Sequence, residues 1–206
     1  AKKKLPILLS SGASSINEIK EAVRIIKKSG NKKILIMQCT LCYPTKPQDA
    51  NLLAINDIKR NFPKYLVGLS DHTLGIEIAS ASVLYGVSVI EKHFTFNKKL
   101  LKSADHWLSI DPRELKKLVE NVRNINLSMG NGKKITLKCE NKARKFARRS
   151  IVANKKILKG EILTKNKIYF KRPGTGISPS LLKKVLGKKA KNEIFYDKLI
   201  TFKDLK

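Results

Sequence analysis

Residues 67–95 read VGLSDHTLGIEIASASVLYGVSVIEKHFT, and this stretch decides the fold. It holds two short apolar runs, and each stops at a polar cluster that contains a histidine. The first ends in Ser70-Asp71-His72-Thr73 and the second in Glu91-Lys92-His93-Phe94-Thr95. Residues from about Ile76 to Tyr85, between them, read as a helix. A buried parallel strand delivers side chains to an active-site rim in this way, at its C-terminal end. Two imidazoles delivered one β-α unit apart read as a metal-binding pair.

Working outward, the same unit repeats. Leu5 to Ser10 is an apolar run closed by Ser10-Ser11-Gly12. Ser15 is placed to cap the next helix, with Glu18 as its capping-box partner, and Ile19, Val23 and Ile26 keep a helical period. Ile34 to Cys39 is a second strand. Pro47 to Phe62 reads as a helix with Leu52, Leu53, Ile55 and Ile58 inward. Tyr65 to Leu69 is a third strand and Val87 to Ile90 a fourth. Pro112 to Met129 reads as a long amphipathic helix with Leu115, Leu118, Val119, Val122 and Ile125 on one stripe. Alternation of this kind implies an α/β fold with a parallel sheet and right-handed crossovers. A complete eight-fold barrel takes about 250 residues, and the four units here make about half of one.

The texture changes after residue 129. Residues 130–149, GNGKKITLKCENKARKFARR, read as a charged linker with some helix near the end. From Ser150 to Lys206, short apolar pieces alternate with turn signals such as Lys159-Gly160 and Arg172-Pro173-Gly174. That pattern suits a small, mostly β module, with a short helix expected from Ser178 to Leu186. The domain reading is therefore 1–129, 130–149 and 150–206.

The chain has 206 residues and a formal net charge of +28. The basic residues are 36 Lys and only 8 Arg, spread over the whole length. Nucleic-acid surfaces cluster their charge, favour Arg and interleave aromatics, whereas aromatics here are 6%. The charge is read as a solvated surface rather than a nucleic-acid face, with attraction of anionic small substrates the next reading. Cys39, Cys42 and Cys139 are too few for a disulfide framework. The Cys39–Cys42 pair is read as strand-end packing rather than a redox or zinc half-site. Free thiols suggest a cytoplasmic location. No apolar run approaches the length of a membrane span.

An ordered set of strings carries a resemblance: SSGAS at 10–14, QCTLCYPT at 38–45, DANL at 49–52, GLSDHT at 68–73, IEKHFT at 90–95 and SADHWLS at 103–109. RRSIVA at 148–153, KGEIL at 159–163 and KRPGTGISP at 171–179 complete it. The chain resembles the sialic acid synthase family, whose members condense phosphoenolpyruvate with an N-acetylated aldose. The resemblance implies the C-terminal half of a (β/α)8 TIM-type barrel followed by an antifreeze-like (SAF) domain. It also implies a divalent metal, Mn2+ or Mg2+, on His72 and His93, with His93 and Asp105 catalytic. The phosphate would lie on Ser10, Ser11 and Ser70, and the sugar against Tyr43, Asp105 and Arg172. Asp71 is placed to orient the His72 loop, to accept from its ring, or to cap the next helix. His106 suits a loop-ordering or substrate-side role. Leu41 stands where some members carry an Asn, which leaves open N-acetylmannosamine or a diamino-dideoxy sugar.

Family members form domain-swapped homodimers, and Arg172 matches the Arg that reaches the partner's sugar. The family's early barrel half supplies a phosphate-binding Lys and a proton-transferring Glu. These would precede Ala1, so this piece alone is expected to be unstable or to pair with another half. Two other readings stay open. One is a basic carbohydrate- or polyanion-binding module without catalysis, and the other is an inactive truncated remnant.

Overall fold

The computed structural model describes residues 1–206 except Lys102 and Ala104, the latter inside the SADHWLS string. The chain forms two compact units, residues 1–132 and 133–206.

The first unit is built on a four-stranded parallel sheet: β1 (Ile7–Ser10), β2 (Ile34–Cys39), β3 (Leu66–Asp71) and β4 (Ile90–Lys92), in that spatial order. Four helices accompany it: α1 (Ile16–Lys28), α2 (Ala54–Asn61), α3 (Glu77–Ala81) and α4 (Pro112–Ser128). This is the half-barrel arrangement expected from the alternation.

Helix α1 starts where Ser15 accepts from the Glu18 amide and Glu18 accepts from the Ser15 amide, a reciprocal cap. Its Ile19 and Val23 are buried against Ile34, Ile36, Ile55, Ile58, Phe62 and Val67. Helix α4 repeats the device with Asp111 and Glu114, and Pro112 takes the first helical position, where its missing N–H costs nothing. Its Leu118 packs with Ala79 and Ile110.

Several boundaries differ from the sequence reading. Residues 47–62 do not form one helix. A 3-10 turn covers Pro47–Asp49, Asn51 takes a left-handed φ of 45°, and α2 begins only at Ala54. The break shifts the helical phase, and Leu53, expected inward, is 66% exposed. Strand β3 runs to Asp71 and β4 to Lys92, beyond the apolar runs, because the ladder bonds backbone whatever the side chain. The expected helix from 76 to 85 is α3 tightening into a 3-10 turn over Ser82–Tyr85 and ending at Gly86, φ 64°.

Successive strand side chains point to opposite faces. Leu9, Ile34, Ile36 and Val67 face the helices. On the other face Met37 is fully buried, while Leu8 and Leu66 remain 49% and 62% exposed. Gly68 lies on this face, and a Cβ there would stand 2.9 Å from the Val89 carbonyl oxygen and 3.0 Å from Leu35 Cδ2.

The second unit has its own core of Ile151, Ala153, Ile157, Leu163, Ile168, Ile177, Val185, Ala190, Ile194, Ile200 and Leu205. Helix α5 (Asn141–Ala147) precedes it. Strands β5 (Ser150–Ala153) and β6 (Ile168–Lys171) pair antiparallel, and single bridges such as Ile157–Ile194 and Ala190–Leu205 extend the β character. The helix expected at 178–186 is a 3-10 turn over Pro179–Lys184. The charged residues 130–149, expected as a linker, are divided: 130–132 belong to the first unit and 133–149 to the second.

Candidate active site

His72 follows β3, and its Nδ1 lies 2.8 Å from the carbonyl oxygen of Thr40. A carbonyl only accepts, so Nδ1 carries the proton and the neutral ring keeps its lone pair on Nε2. His93 follows β4. Its Nδ1 is 3.7 Å from Asp105 Oδ2. The two rings stand 5.2 Å apart between centroids, edge to face. Tyr43 closes the triangle at 4.3 Å from His72 and 5.5 Å from His93. Four of the predicted residues, Tyr43, His72, His93 and Asp105, are therefore brought together.

Charge at this spot opposes that of the chain as a whole. The Tyr43 hydroxyl is held above its ordinary pKa, first by burial, then by Cys39 and by the carboxylates of Asp105 and Glu91. A chain of net charge +28 thus gathers two carboxylates near Tyr43, the ring that meets both imidazoles. That donor set fits a divalent cation: imidazole nitrogen with carboxylate or water oxygen. Among the described residues, no three or more His, Cys, Asp or Glu side chains form a group that could hold a metal ion. His72 and His93 together would offer such an ion two nitrogens.

The structure settles the choices left open for Asp71. It neither accepts from the His72 ring, a task done by the Thr40 carbonyl, nor caps α3. Its carboxylate takes the Thr73 amide at 3.0 Å, the Thr73 hydroxyl at 3.1 Å and the Lys92 ammonium at 2.7 Å. His106 Nδ1 is 2.9 Å from the Thr95 hydroxyl, a bond that ties its loop to the end of β4.

The three serines read as phosphate donors differ in what they have left to give. Ser11 is buried, and its hydroxyl donates to the Met37 carbonyl at 2.7 Å. Ser70 is buried and donates to Glu91 Oε1 at 2.7 Å. A hydroxyl has one proton, so neither is a free donor in this arrangement. Ser10 alone of the three is exposed. The start of α1 already carries the Glu18 carboxylate. The Ser15 amide and hydroxyl hold that carboxyl below the usual range.

Arg172 lies in the second unit, exposed, with Nε donating to the Ala147 carbonyl at 2.9 Å beside the cis Arg172–Pro173 bond. Leu41 is 58% exposed and packs over Gly12, where a Cβ would stand 3.2 Å from its own Cβ.

Sequence reasoning missed Thr40 and Glu91, whereas Cys39 is buried at the end of β2 as its strand-end reading expected. Thr40 acts through backbone and leaves no residue signature. Cys39 sits under Gly12, and burial pushes its thiol pKa up, against the opposing effect of the neighbouring Ser70 side chain and Gly12 backbone. Glu91 was findable, because positions 70 and 72 share one face of their strand and 91 and 93 share the same face of the next. A cavity of about 690 Å3 lies between α1 and α2, lined by residues that include Ser11, Gln38, Cys39, Thr40 and Leu41 and not the histidines.

Comparison with known proteins places this geometry. The NeuB family matches residues 1–134, and the SAF domain matches residues 148–206. The chain belongs to the NeuB family. It is 42% identical to the N,N'-diacetyllegionaminic acid synthase of Campylobacter jejuni, covering 97% of this chain and 60% of that protein. It is 36% identical to the human N-acetylneuraminate-9-phosphate synthase, covering 92% and 52%. An uncharacterized protein of Methanocaldococcus jannaschii, MJ1065, is 44% identical over 100% of this chain and 60% of its own length. Among solved structures, the spore coat polysaccharide biosynthesis protein spsE of Bacillus subtilis matches with a TM-score of 0.58 at 32% identity, covering 100% of this chain and 62% of that one. The N-acetylneuraminic acid synthetase of Leptospira borgpetersenii, in complex with citrate, matches with a TM-score of 0.60 at 36% identity, covering 68% and 48%. This NeuB chain thus spans about 60% of the length of the curated relatives it matches first. Its fold is a half of a (β/α)8-type barrel followed by a SAF domain. Among the described residues, no helix is long and apolar enough to cross a membrane.

Proposed function

We propose that this chain supplies the metal-holding part of a nonulosonic acid synthase site. The reaction is the condensation of phosphoenolpyruvate with the open-chain aldehyde of an N-acetylated aldose, N-acetylmannosamine or a diamino-dideoxy sugar. The enol carbon forms the new C–C bond, water adds, and phosphate leaves by C–O cleavage. A divalent ion, Mn2+ or Mg2+, on His72 and His93 would supply Lewis-acid polarisation of the aldehyde oxygen.

The chain's own groups then have defined tasks. Thr40 holds His72 with Nε2 presented. Asp105, beside His93 and half exposed, takes sugar hydroxyls, and Tyr43 lays its ring against the sugar. Ser10 offers a hydroxyl to the phosphate, while Ser11 and Ser70 serve it only on releasing their present acceptors. Arg172 acts on the sugar of a partner copy in a domain-swapped homodimer. The Lys and Glu of the other barrel half complete the site, from a longer chain or a separate one.

The observation that carries this reading is the pair of imidazoles 5.2 Å apart, set among carboxylates in a basic chain. Calorimetric Mn2+ titration tests it, comparing the wild-type chain with His72→Ala/His93→Ala, with and without phosphoenolpyruvate. A micromolar signal lost in the double variant supports the site. No signal from a folded wild-type chain overturns it.

The net charge of +28 favours one second reading, a polyanion- or carbohydrate-binding module. That module binds with a steep salt dependence and is indifferent to His72→Ala.

A further inference from the structure

We infer that Lys92 and Asp71 are a positioning pair that fixes the mutual placement of His72 and His93. The inference rests on reading the two histidines as a metal-holding pair.

Each member immediately precedes one of the histidines, and the two are Cα partners in the β3–β4 ladder. The Lys92 ammonium is 2.7 Å from Asp71 Oδ2 and 2.5 Å from the Thr73 carbonyl oxygen. It therefore holds the chain on both sides of His72, at residue 71 and at residue 73. Asp71 tightens the same turn by accepting the Thr73 amide and hydroxyl. The pair lies on the opposite face from the imidazoles. Lys92 lines an apolar groove with Ile90, Phe94, Leu118 and Val122, whereas the His93 ring meets Tyr43 and His72.

The side chains are 4% and 2% exposed. Burying two charges is costly, and well-packed apolar residues of similar volume are often as stable or more so. An ion pair does something that two apolar residues do not: it accepts one register only. A one-residue slip of β4 would place Lys92 against Ser70, carry its side chain to the other face and leave Asp71 buried without a cation. In the register seen, the histidines fall on neighbouring strand ends at matched height.

The test uses the full chain and two variants, Asp71→Asn and the apolar pair Asp71→Leu/Lys92→Met, with folding followed by circular dichroism. The first readout needs no metal: the inter-ring nuclear Overhauser effects among His72, His93 and Tyr43. The second is calorimetric Mn2+ affinity. The expected result is variants that fold, no longer show the His72–His93 effect and bind Mn2+ about 10- to 100-fold more weakly, as happens when outer partners of metal ligands are removed. If the apolar pair folds and keeps both the ring proximity and the affinity, the inference fails, because the ion pair is then only structural. If both variants fail to fold, it fails as well, because the pair is then a requirement of folding. Rings that separate in the variants, with no Mn2+ binding even by wild type, would leave the positioning role standing and sink the metal reading.

Discussion

The His72 Nδ1 lies 2.8 Å from the Thr40 carbonyl oxygen, across the gap between the ends of β3 and β2. This one contact decides which ring nitrogen faces the site. Nitrogen-15 spectra of the imidazoles at a pH where they are neutral will show His72 as the Nδ1–H tautomer. An Nε2–H tautomer would mean that the ring is turned and the half-site is not formed.

Glu91 and Ser70 form a ladder pair just below the histidines. Glu91→Gln removes a negative charge and keeps an oxygen for the Ser70 hydroxyl. Mn2+ affinity is expected to fall about three- to tenfold at low salt, and less at high salt, where charge is screened. An unchanged affinity would place Glu91 outside the field of the ion.

The cysteines should react in a fixed order. Cys42 and Cys139 are exposed and Cys39 is buried, with burial holding its thiol above the ordinary range. Timed alkylation followed by mass spectrometry will show Cys42 and Cys139 modified first and Cys39 only on unfolding. Early modification of Cys39 would contradict its packing under Gly12.

Asp111 caps α4 by accepting from the Arg113 and Glu114 amides. Asp111→Ala is expected to cost about 1 kcal/mol, read as a lower midpoint in urea. Asp111→Asn, which keeps an accepting oxygen, should recover most of it.

The second unit carries a carboxylate with a definite pH signature. Burial raises the pKa of Asp204, but bonds from the Thr201 hydroxyl and amide, with Lys198 nearby, outweigh it and leave the group below its ordinary value. The folded state therefore favours the ionised form. The associated stability is complete above the unfolded carboxylate pKa and is lost as pH falls through the folded one. Thermal melts taken from pH 7 downward should show this loss in wild type and a flatter response in Asp204→Asn.

Most of the architecture was legible because burial writes period-two and period-3.6 patterns into a sequence. The parallel alternation came from such patterns, and the Ser15–Glu18 cap and the two histidines from single residues at segment ends; the Asp111–Glu114 cap was not read from the sequence. What escaped depends on neighbours distant in the chain. The Ser11 and Ser70 hydroxyls looked available until the fold brought in Met37 and Glu91, 26 and 21 residues away. The Leu53 error came from one left-handed residue, Asn51, which no hydrophobic count registers. The Thr40 contact is made by backbone, and every residue has a carbonyl.

The bare face of the sheet gives the surplus of lysine a physical consequence. Leu8 and Leu66 stand 49% and 62% exposed, and β1 and β4 are the outer strands of their sheet. Copies of these 206 residues, taken by themselves, attract one another through greasy surface and the backbone of the outer strands. A charge of +28 makes them repel at longer range. The chain's colloidal behaviour is then a contest between a long-range and a short-range force, and only the first yields to salt. Raising ionic strength should move these 206 residues, prepared by themselves, from dispersed copies to clusters with no change in how each copy is folded.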